Sequence, residues 1–429
     1  MEKSVVELFA GVGGFRCGFN EIKEFDSKTG RAKEGNNPNW DFVWANQWEP
    51  STKTQAAFDC YCERFGESDN HVCEDIHEIT TKEIYRIPAH TLLVGGFPCQ
   101  DYSVARSLSN EKGIEGKKGV LWWDIASVIE ARMPPFVLLE NVDRLLRSPS
   151  TQRGRDFAIM LRTFLDNGYA VEWRVINAAE YGFPQRRRRV FIFAYHKSTN
   201  HYKKMCKVSP EQIIYTEGIF ASNFPITDDI LDNGKKSISE DKFEDIVDIS
   251  DNFKEFHFFN AGCMFNGDVY TYKVEPKECK NVTTLGDILE KEVDDKYIIS
   301  DAKKLEKWKK LKDSKKIERT KPNGETYCYS EGAIAFPDHL DKPARTMLTS
   351  ESTTNRSSHI IGVDEENDIY RTLTPIEAER IQMFPDNWTN IKSKSMTERR
   401  RYFMMGNALV VGVVEILGKY LEKIVEDED

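Results

Sequence analysis

Three short stretches of the chain carry side chains that could do chemistry. Residues 95–103 read GGFPCQDYS, so that Cys99 stands at a turn directly after an apolar run. Glu140 ends the apolar run FVLLE, and four consecutive arginines occupy positions 186–189. A thiolate, a carboxyl group and guanidinium donors in one cleft suit nucleophilic addition to an electron-poor ring. Alternatively, Cys99 is a buried packing residue and Glu140 forms a surface ion pair.

Cysteine usage indicates the compartment. The chain has nine cysteines, an odd number without C-x-x-C pairs, and its N-terminus has no export signal. We therefore expect reduced thiols in a cytoplasm. The most apolar stretch near the C-terminus, ALVVGVVEIL, is too short to cross a bilayer, so we expect no membrane association.

One group of cysteines and histidines raises the question of a metal site. It consists of Cys60, Cys62 and Cys73, with His71 and His77 close by in the sequence. Their spacing does not match a familiar zinc-ligand pattern. We therefore predict that the protein binds no metal.

Charge is unevenly distributed along the chain. The formal net charge is −10, but residues 303–321 contain ten Lys or Arg against three Asp or Glu, a local charge of +7. Residues 228–255 contain ten acids and four bases, a local charge of −6. Because local fields decide binding, an acidic chain with basic islands can still bind nucleic acid. The 303–321 segment is interpreted equally well as a solvated helix.

The first 195 residues alternate apolar, β-branched runs with stretches of helical periodicity. This alternation predicts an α/β fold with a doubly wound, Rossmann-like sheet and helices on both faces. The last two strands are joined by a loop too short for a crossover helix, so we expect them to be antiparallel and to close the sheet. The predicted strands are SVVELFAG, DFVWANQW, TLLVGG, FVLLENV, VEWRVINA and RVFIFAY, and the predicted helices are TKTQAAFDCYCERF, LWWDIASVIEARM and GRDFAIMLRTFLDNG.

The regular alternation stops between about residues 200 and 370. Strands there are short and irregular, charge runs appear, and turn residues such as Asn266-Gly267 are frequent. We interpret this region as a second, smaller domain. The stretches PIEAERIQMF and GNALVVGVVEILGKYLEKI after it are predicted to be helices.

A glycine-rich turn follows the first predicted strand. Phe9, Gly11, Gly13 and Gly14 stand where doubly wound sheets bind nucleotide-like cofactors, and glycine lets the backbone approach a ligand closely. The pattern does not match G-x-G-x-x-G, which favours an adenosyl cofactor without a pyrophosphate over NAD or FAD.

Two residues that come later in the chain could contact an adenosyl group. Trp48 offers a face for stacking on adenine, and Asp75 could accept a hydrogen bond from the adenine amino group. The alternatives are that Trp48 is a core residue and that Asp75 caps a helix.

Taken together, these stretches resemble the cytosine-C5 DNA methyltransferase family of bacterial restriction–modification systems. The resemblance covers about residues 1–195 and 370–420. It rests on blocks that occur in the family's order: LFAGVGGFR, Asp75-Ile76, GGFPCQ-x-x-S, GVLWWDI, LLENV, QRRRRVFI, RTLTPIEAERIQMFPD and GNALVVGVV.

The resemblance implies transfer of a methyl group from S-adenosyl-L-methionine to C5 of a flipped-out cytosine in a short, specific duplex DNA site. Cys99 would attack C6 as a thiolate, which makes C5 nucleophilic. Glu140 would contact N3 and the exocyclic amine, Arg189 would hold O2, and Arg187 would position the site. The segment 100–120 would close over the flipped base.

The resemblance also implies a cofactor pocket and a DNA-contact set. The family usually has an acid where Gln47 stands, so either Gln47 or Glu49 would hold the ribose. The cofactor residues would be Phe9, Gly11, Gly14, Gln47, Trp48, Asp75, Ile76, Pro98, Leu121 and Asn407. Asn407 implies that the closing helix folds back onto the first domain. The DNA contacts would include Gln100, Ser103, Arg345 and Thr346. Asn355 and Arg356 lie in the polar stretch SESTTNRSSHII and suit base or phosphate contact; alternatively, this stretch is simply a loop before a strand.

We expect residues 1–200 plus 400–429 to form the catalytic and cofactor-binding domain. Residues 201–399 would form the target-recognition domain with its hinge. In that region, Lys342 to Met347 resembles the family's Thr-Leu signature, with Met in place of Leu. The 303–321 island is a candidate for phosphate contacts. The expected partners are double-stranded DNA and a restriction endonuclease of the same site, and the protein is expected to be a cytoplasmic monomer.

Three other functions fit parts of the sequence. The first is an RNA cytosine-C5 methyltransferase of the same fold, from which we expect a smaller middle region. The second is a catalytically inactive DNA-binding relative, against which Cys99, Glu140, Arg187 and Arg189 all argue. The third is a dinucleotide oxidoreductase, which the imperfect glycine pattern disfavours.

Overall fold

The computed structural model describes most of the 429-residue chain. The described residues are 1–34, 39–50, 52–97, 121–227, 234–320, 324–351 and 353–429. Four predicted site residues, Pro98, Cys99, Gln100 and Ser103, lie outside them, as does the segment 100–120. No helix in the described ranges is long and apolar enough to span a bilayer.

Five parallel strands form one half of the sheet. They are β1 (Ser4–Leu8), β2 (Asp41–Asn46), β3 (His71–Val72), β4 (Leu92–Gly96) and β5 (Phe136–Val142), in the order β3-β2-β1-β4-β5. Successive residues of β4 and β5 are apolar and buried because both faces of the sheet are covered. The C-terminal ends of these strands meet at one edge of the sheet, which we call the carboxyl edge.

Antiparallel strands form the other half. β6 (Tyr169–Asn177) pairs with β7 (Arg188–His196), and β7 lies against β5, so that β7 begins at the carboxyl edge. The α/β fold and the antiparallel pair are confirmed. The prediction that this pair closes the sheet is wrong, because the free side of β6 is paired by a further strand. Three strands extend the sheet there: β8 (Lys235–Ser239), β9 (Ala261–Phe265) and β10 (Asp268–Tyr272), in the order β6-β9-β10-β8.

Helices surround the sheet and complete the fold. The helices, in chain order, are α1 (Gly14–Phe19), α2 (Ala56–Phe65), α3 (Ile76–Lys82), α4 (Leu121–Arg132), α5 (Arg155–Asp166), α6 (Asn200–Met205), α7 (Pro210–Gln212), α8 (Ile219–Asn223), α9 (Ile246–Asn252), α10 (Leu285–Ile288), α11 (Ala302–Lys312), α12 (Pro375–Ile381), α13 (Glu398–Asn407) and α14 (Val411–Glu426). Short 3-10 turns cover Ile84–Arg86, Asp143–Arg147, Ala178–Tyr181, Glu240–Lys242 and Asp295–Tyr297, and a π turn covers Ile213–Glu217.

Apolar layers cover both faces of the sheet. Val6 and Leu93 belong to one layer with the inward sides of α3, α4 and α5. Val5 and Leu92 belong to the other layer with α1, α8 and α14. Neighbouring residues of one strand thus contribute to opposite layers, as the alternation of side chains along a strand requires. The sheet is buried on both sides, which leaves its edges for function.

The closing helix α14 returns to the N-terminal part of the chain. It packs on α1 so closely that a Cβ at Gly18 would lie 2.5 Å from Val414 Cγ2, and one at Gly418 would lie 2.7 Å from Phe19 Cδ1. The prediction that this helix folds back onto the first domain is confirmed by its packing on α1.

The segment around α12 also contacts the N-terminal part. Trp388 Nε1 donates a hydrogen bond to Val12 O at 2.9 Å, and the buried Arg64 donates to Trp388 O at 2.8 Å. The core therefore includes residues from 375–391, and the sheet includes residues from 235–272. The predicted domain boundaries at 200/201 and 399/400 stay a prediction. In this structure the apolar core and the sheet both include residues from each side of those boundaries.

Residues 285–372 form the least regular part of the chain. Two separate antiparallel pairs lie here: β11 (Lys315–Thr320) with β12 (Thr326–Glu331), and β13 (Ile360–Asp364) with β14 (Ile369–Thr372). A small apolar cluster of Leu305, Trp308, Ile360 and Tyr370 joins α11 to the second pair. This arrangement agrees with the irregular strands predicted for this region.

Candidate active site

The end of β5 brings Glu140 to the carboxyl edge. Its neighbour on β4 is Gly96, and a Cβ on that residue would lie only 3.2 Å from Glu140 Oε2. Arg189, near the start of β7, places its Nε 2.8 Å from Glu140 Oε1. The two side chains are only 12% and 19% exposed. A carboxyl group and a guanidinium group, both poorly solvated, are thus paired at the edge where sheets of this class bind ligands.

Arg187 lies beside this pair but is buried, at 3% exposure. It donates hydrogen bonds to Gly406 O at 3.2 Å and to Met347 O at 3.4 Å, while its Nε has no partner within the described residues. Burial, followed by the charge of Arg189, lowers the pKa of Arg187, and Glu140 opposes this shift. Gly406 belongs to the last turn of α13, where free carbonyls favour a cation. Arg187 therefore joins three segments behind the Glu140–Arg189 pair.

The segment before β7 pairs with the stretch that resembles the Thr-Leu signature. Ala344 N donates to Pro184 O, and Arg186 N donates to Ala344 O, each at 2.8 Å. The buried Gln185 accepts a hydrogen bond from Met347 N at 3.2 Å. Met347 itself is fully buried, so the Met that replaces Leu serves as a core residue here.

Asn141 extends the site towards the predicted nucleophile. Its Nδ2 donates to Phe97 O at 2.9 Å, one residue before the segment that lies outside the described residues. The backbone that leads to Pro98 and Cys99 is therefore held at the end of β4, next to Glu140.

The glycine turn after β1 has the backbone that a close ligand requires. Phe9, Gly11 and Gly13 have φ values of 56°, 58° and 84°, in the left-handed region. A Cβ at Gly11 would meet no atom within 4 Å, so the turn opens onto free space. Gln47 Oε1 accepts a hydrogen bond from Gly11 N at 2.8 Å and fixes the turn to the end of β2.

Other predicted cofactor residues lie after strands β2 and β3 and at the start of α4. Trp48 is 37% exposed, so the alternative that it is a core residue is wrong. Asp75 caps α3 by accepting from His77 N at 3.0 Å, and its Oδ2 has no partner within the described residues. Ile76 is buried in the core, and Leu121 begins α4 and is half-buried.

The two candidates for the ribose contact differ in their partners. The carboxylate of Glu49 accepts a hydrogen bond from Ala57 N–H at the start of α2, and burial raises its pKa. The amide nitrogen of Gln47 has no partner in the described part of the chain, whereas its oxygen is bound to Gly11. Gln47 therefore keeps a free donor beside the glycine turn, and Glu49 is used to cap a helix.

The C-terminal block reaches this pocket as well. Leu409 lies against the glycine turn, since a Cβ at Gly14 would be 3.0 Å from Leu409 Cγ. Asn407, two residues earlier, is exposed at the end of α13. The open turn, the exposed indole of Trp48 and the polar groups of Gln47 and Asp75 fit an adenosyl cofactor without phosphates.

Glu7 lies beneath the glycine turn and was not predicted as a site residue. It is fully buried in β1, where it accepts hydrogen bonds from Tyr61 Oη–H at 3.2 Å and from Phe15 N–H in α1. Burial raises its pKa to about 8. A charged residue inside an otherwise apolar predicted strand was the signal that could have found it.

Two predicted DNA contacts, Arg345 and Asn355, have their donors bound within the protein. Arg345 pairs with Asp338 and donates to the carbonyls of Ser357 and Ser358. Asn355 Nδ2 donates to Ser350 O at 2.8 Å. Their roles at DNA stay predictions, but in this structure these groups shape the loop.

Arg356 and Thr346 are bound in a similar way. Arg356 donates to Leu311 O at 2.7 Å and to Asp313 O at 2.6 Å. The hydroxyl of the half-buried Thr346 donates to Arg186 O. Arg186 and Arg188, by contrast, are exposed at the carboxyl edge.

Metal binding has no support in the described ranges, where no three Cys, His, Asp or Glu residues group as ligands. Cys60 is buried, and its thiol donates to Trp388 O at 3.4 Å.

Comparison with known proteins identifies the family. The profile for C-5 cytosine-specific DNA methylases matches residues 3–423. The chain belongs to this family. It is 52% identical over 420 residues to the Type II methyltransferase M.Sau3AI of Staphylococcus aureus, covering 98% of this chain and 95% of the relative. It is 25% identical over 424 residues to the Type II methyltransferase M1.ScrFI of Lactococcus lactis subsp. cremoris, covering 98% and 78%.

The fold is also found in a solved structure. The crystal structure of the S. pombe Dnmt2 methyltransferase aligns with a TM-score of 0.58 at 16% identity, over 100% of this chain and 99% of that one. The predicted family, fold and reaction are therefore confirmed: the protein is an S-adenosylmethionine-dependent DNA (cytosine-5-)-methyltransferase.

The buried carboxyl of Glu7 predicts a pH-dependent stability. Between about pH 5 and 8, an unfolded Glu has lost its proton while folded Glu7 retains it, so stability falls as pH rises through this window. Glu7→Gln removes this term. The unfolding free energy of the variant minus that of wild type should therefore increase by ~2–4 kcal/mol between pH 5 and pH 8. Urea denaturation at both pH values measures the difference. The control Glu2→Gln, at an exposed position, should show the same pH dependence as wild type. If the unfolding free energies of Glu7→Gln and wild type changed equally with pH, the assignment to Glu7 would be contradicted.

The close contact at Gly406 predicts an effect on catalysis. A Cβ there would lie 2.3 Å from Thr349 N and 2.5 Å from Leu348 C, so Gly406→Ala must push α13 away and disturb the acceptors of Arg187. We expect methyl transfer to fall about tenfold or more, because small displacements at a reacting centre are costly. Gly332→Ala is the control, since a Cβ there meets nothing within 4 Å. Equal initial rates for both variants would show that the contact does not matter.

Proposed function

We propose that the enzyme methylates C5 of a flipped-out cytosine in a short, specific duplex DNA site through a covalent Cys99–C6 adduct. The observation that carries the proposal is the Glu140–Arg189 pair at the carboxyl edge. It lies beside the Phe97 backbone that Asn141 holds and that leads to Cys99. The proposal for Cys99 itself rests on its sequence block, since this residue lies outside the described ranges.

Cytosine C5 is a poor nucleophile until C6 carries a substituent. The Cys99 thiolate adds to C6, the electron pair moves to C5, and C5 takes the methyl group. S-adenosylmethionine bound in the pocket would supply that methyl group, and cleavage of its sulfur–methyl bond would leave a thioether. The C5 proton is then removed, the C5–C6 double bond re-forms, and the thiolate leaves. Because C6 is shielded within the stacked duplex, the base must be flipped into the site first.

Glu140 and Arg189 stabilise the base during this addition. Electron density that builds at N3 is offset by a proton shared with Glu140, and Arg189 donates to O2. Their pairing holds the Glu140 carboxylate in place at the carboxyl edge. Arg187 does not need to touch the base, since its burial and its bonds to Gly406 and Met347 suit it to position Arg189 and the loop 344–349.

The cofactor would bind in the glycine-turn pocket. Phe9, Gly11 and Gly14 would border its methionine part, and Trp48, Asp75 and Ile76 its adenosine. Pro98, Leu121 and Asn407 would complete the pocket. Of the two candidates for the ribose, we propose Gln47, because its amide nitrogen is free while Glu49 caps α2.

The relatives suggest the biological context. Both are named as Type II methyltransferases, so we propose a restriction–modification role, with a cognate endonuclease that cuts the same site when it is unmethylated. We further propose that the enzyme acts as a monomer in the cytoplasm. Residues 201–399 would supply most of the target recognition.

The test is methyl transfer from tritiated S-adenosylmethionine to duplex DNA, to transfer RNA or to neither. We expect label in duplex DNA, its loss in Cys99→Ser, and a fall of about 10²–10⁴-fold in Glu140→Gln, because an amide cannot share the proton that develops at N3. The control is Glu180→Gln. Glu180 is a carboxylate near the same edge that accepts a hydrogen bond from Asn177 Nδ2. Label only in RNA would refute the DNA substrate, and full turnover in Cys99→Ser would refute the covalent step.

A further inference from the structure

The β11–β12 pair is a ribbon without a covered face. None of its twelve residues is buried: nine are exposed and three are partly exposed. Ile317 and Tyr327 are 42% and 41% exposed on one face. A two-stranded ribbon gains little stability by itself in water. An ordered ribbon with both faces open is therefore an element that is built to contact something else.

The base of the ribbon is held firmly. Arg356 donates to Asp313 O just before β11 and to Gly332 O just after β12, and it pairs with Glu331 at 3.3 Å. Ile334 N donates to Lys312 O at 2.7 Å, so the two chain segments stay together at the base.

A buried cluster continues this attachment. Lys312 lies 3.0 Å from Asp338 Oδ2, and Asp338 also binds Arg345 and the backbone N–H of Ile360. The surrounding cations lower the pKa of Asp338 against the effect of burial. The charged groups around residues 338–358 thus fix the direction of the ribbon and are not free to read DNA themselves.

The ribbon base opens onto the catalytic side. A cleft of about 350 Å³ is lined by Arg186, next to Arg187, and by Ala333–Ala335, directly after the ribbon. His339 and Lys342 also line it. Helix α11, which leads into β11, presents Lys303, Lys307 and Lys310 with no ion pair within the described residues. A ribbon, a cationic helix and the Arg186 edge together form a surface complementary to a polyanion.

We propose that the β11–β12 ribbon enters the major groove of the target duplex and that one face of it reads base edges. This inference rests on the proposed function and names the element responsible for its specificity. A two-stranded ribbon fits the major groove. The register separates a polar face from one that combines Ile317, Tyr327 and Tyr329 with Lys315, Arg319 and Glu331. The polar face consists of the cross-strand pairs Lys316–Ser330, Glu318–Cys328 and Thr320–Thr326.

The residue types on the polar face suit base recognition. A lysine can donate to guanine O6 and N7, a glutamate can accept from cytosine N4, and hydroxyls serve either role. On the other face, Arg319 lies 4.1 Å from the centre of the Tyr329 ring, so its charge is already engaged. The exposed lysines of α11 would bind phosphates, which adds affinity without sequence information.

Cys328 gives a direct probe of the ribbon. The target site is first mapped by bisulfite sequencing of a plasmid methylated by the enzyme. The full chain, with S-adenosylhomocysteine, is then alkylated with N-ethylmaleimide in the presence of a duplex with that site or with a scrambled site. Peptide mass spectrometry should show Cys328 protected about fivefold or more by the site duplex only, because a ribbon inserted in the groove shields its thiol.

Cys206 is the internal control. It is also exposed, but it follows α6 beyond the end of β7, at the edge of the sheet opposite the carboxyl edge. Its alkylation should not change with either duplex. Equal alkylation of Cys328 with and without the site duplex would overturn the proposal.

Two variants distinguish sequence recognition from non-specific electrostatic binding of DNA. Glu318→Ala should lower the ratio of kcat/KM between the mapped site and single-base variants of it by about tenfold, the range of one base contact. Lys303→Ala should lower kcat/KM for all duplexes by a similar factor. Both residues are exposed, so the fold should persist by circular dichroism. Unchanged discrimination in both Glu318→Ala and Lys316→Ala would reject the ribbon as reader. Wild-type enzyme that labels no DNA would instead reject the proposed function.

Discussion

The site depends on one buried cation. Arg187 has almost no contact with solvent, and its charge is tolerated because carbonyls of Met347 and Gly406 accept from it. Those carbonyls belong to the signature-like loop and to the last turn of α13, which are distant in sequence from β7. A guanidinium that lost these acceptors would leave an unpaired charge in the interior. The interaction therefore forces α13, the loop 344–349 and the catalytic strand into one arrangement.

Backbone conformation makes this arrangement possible. Gly406 lets α13 contact residues 348–349, and Gly96 leaves room for the Glu140 carboxylate between neighbouring strands. At the other end of the carboxyl edge, the left-handed residues Phe9 and Gly11 open a space that Gln47 stabilises. At Gly406 and Gly96 a missing side chain lets two functional segments approach each other, whereas at Gly11 it leaves open space. The catalytic and cofactor sites share the carboxyl edge.

Much of this could be predicted from the sequence, and the remainder depended on partners that a sequence does not display. The strands β1, β2, β4 and β5 were evident because residues buried on both faces form continuous apolar runs. Residues 261–265 were missed as part of the main sheet, because nothing local shows that a short strand will pair with the free side of β6. Gln47 and Glu49 were equivalent in sequence, and only their hydrogen-bond partners separate them.

The recognition region shows why charge alone is a poor guide to a DNA contact. Arg345 was selected from the signature-like stretch and Arg356 from a polar stretch, yet both are used to hold Asp338 and the two ends of the β11–β12 ribbon. A side chain that must organise a loop gives up the donors it would need for a base. Residues that organise nothing are the ones left free, and in the described part of this region they lie on the ribbon and along α11. Sequence specificity is then assigned to the β11–β12 ribbon, which is held at its base but exposed on both faces.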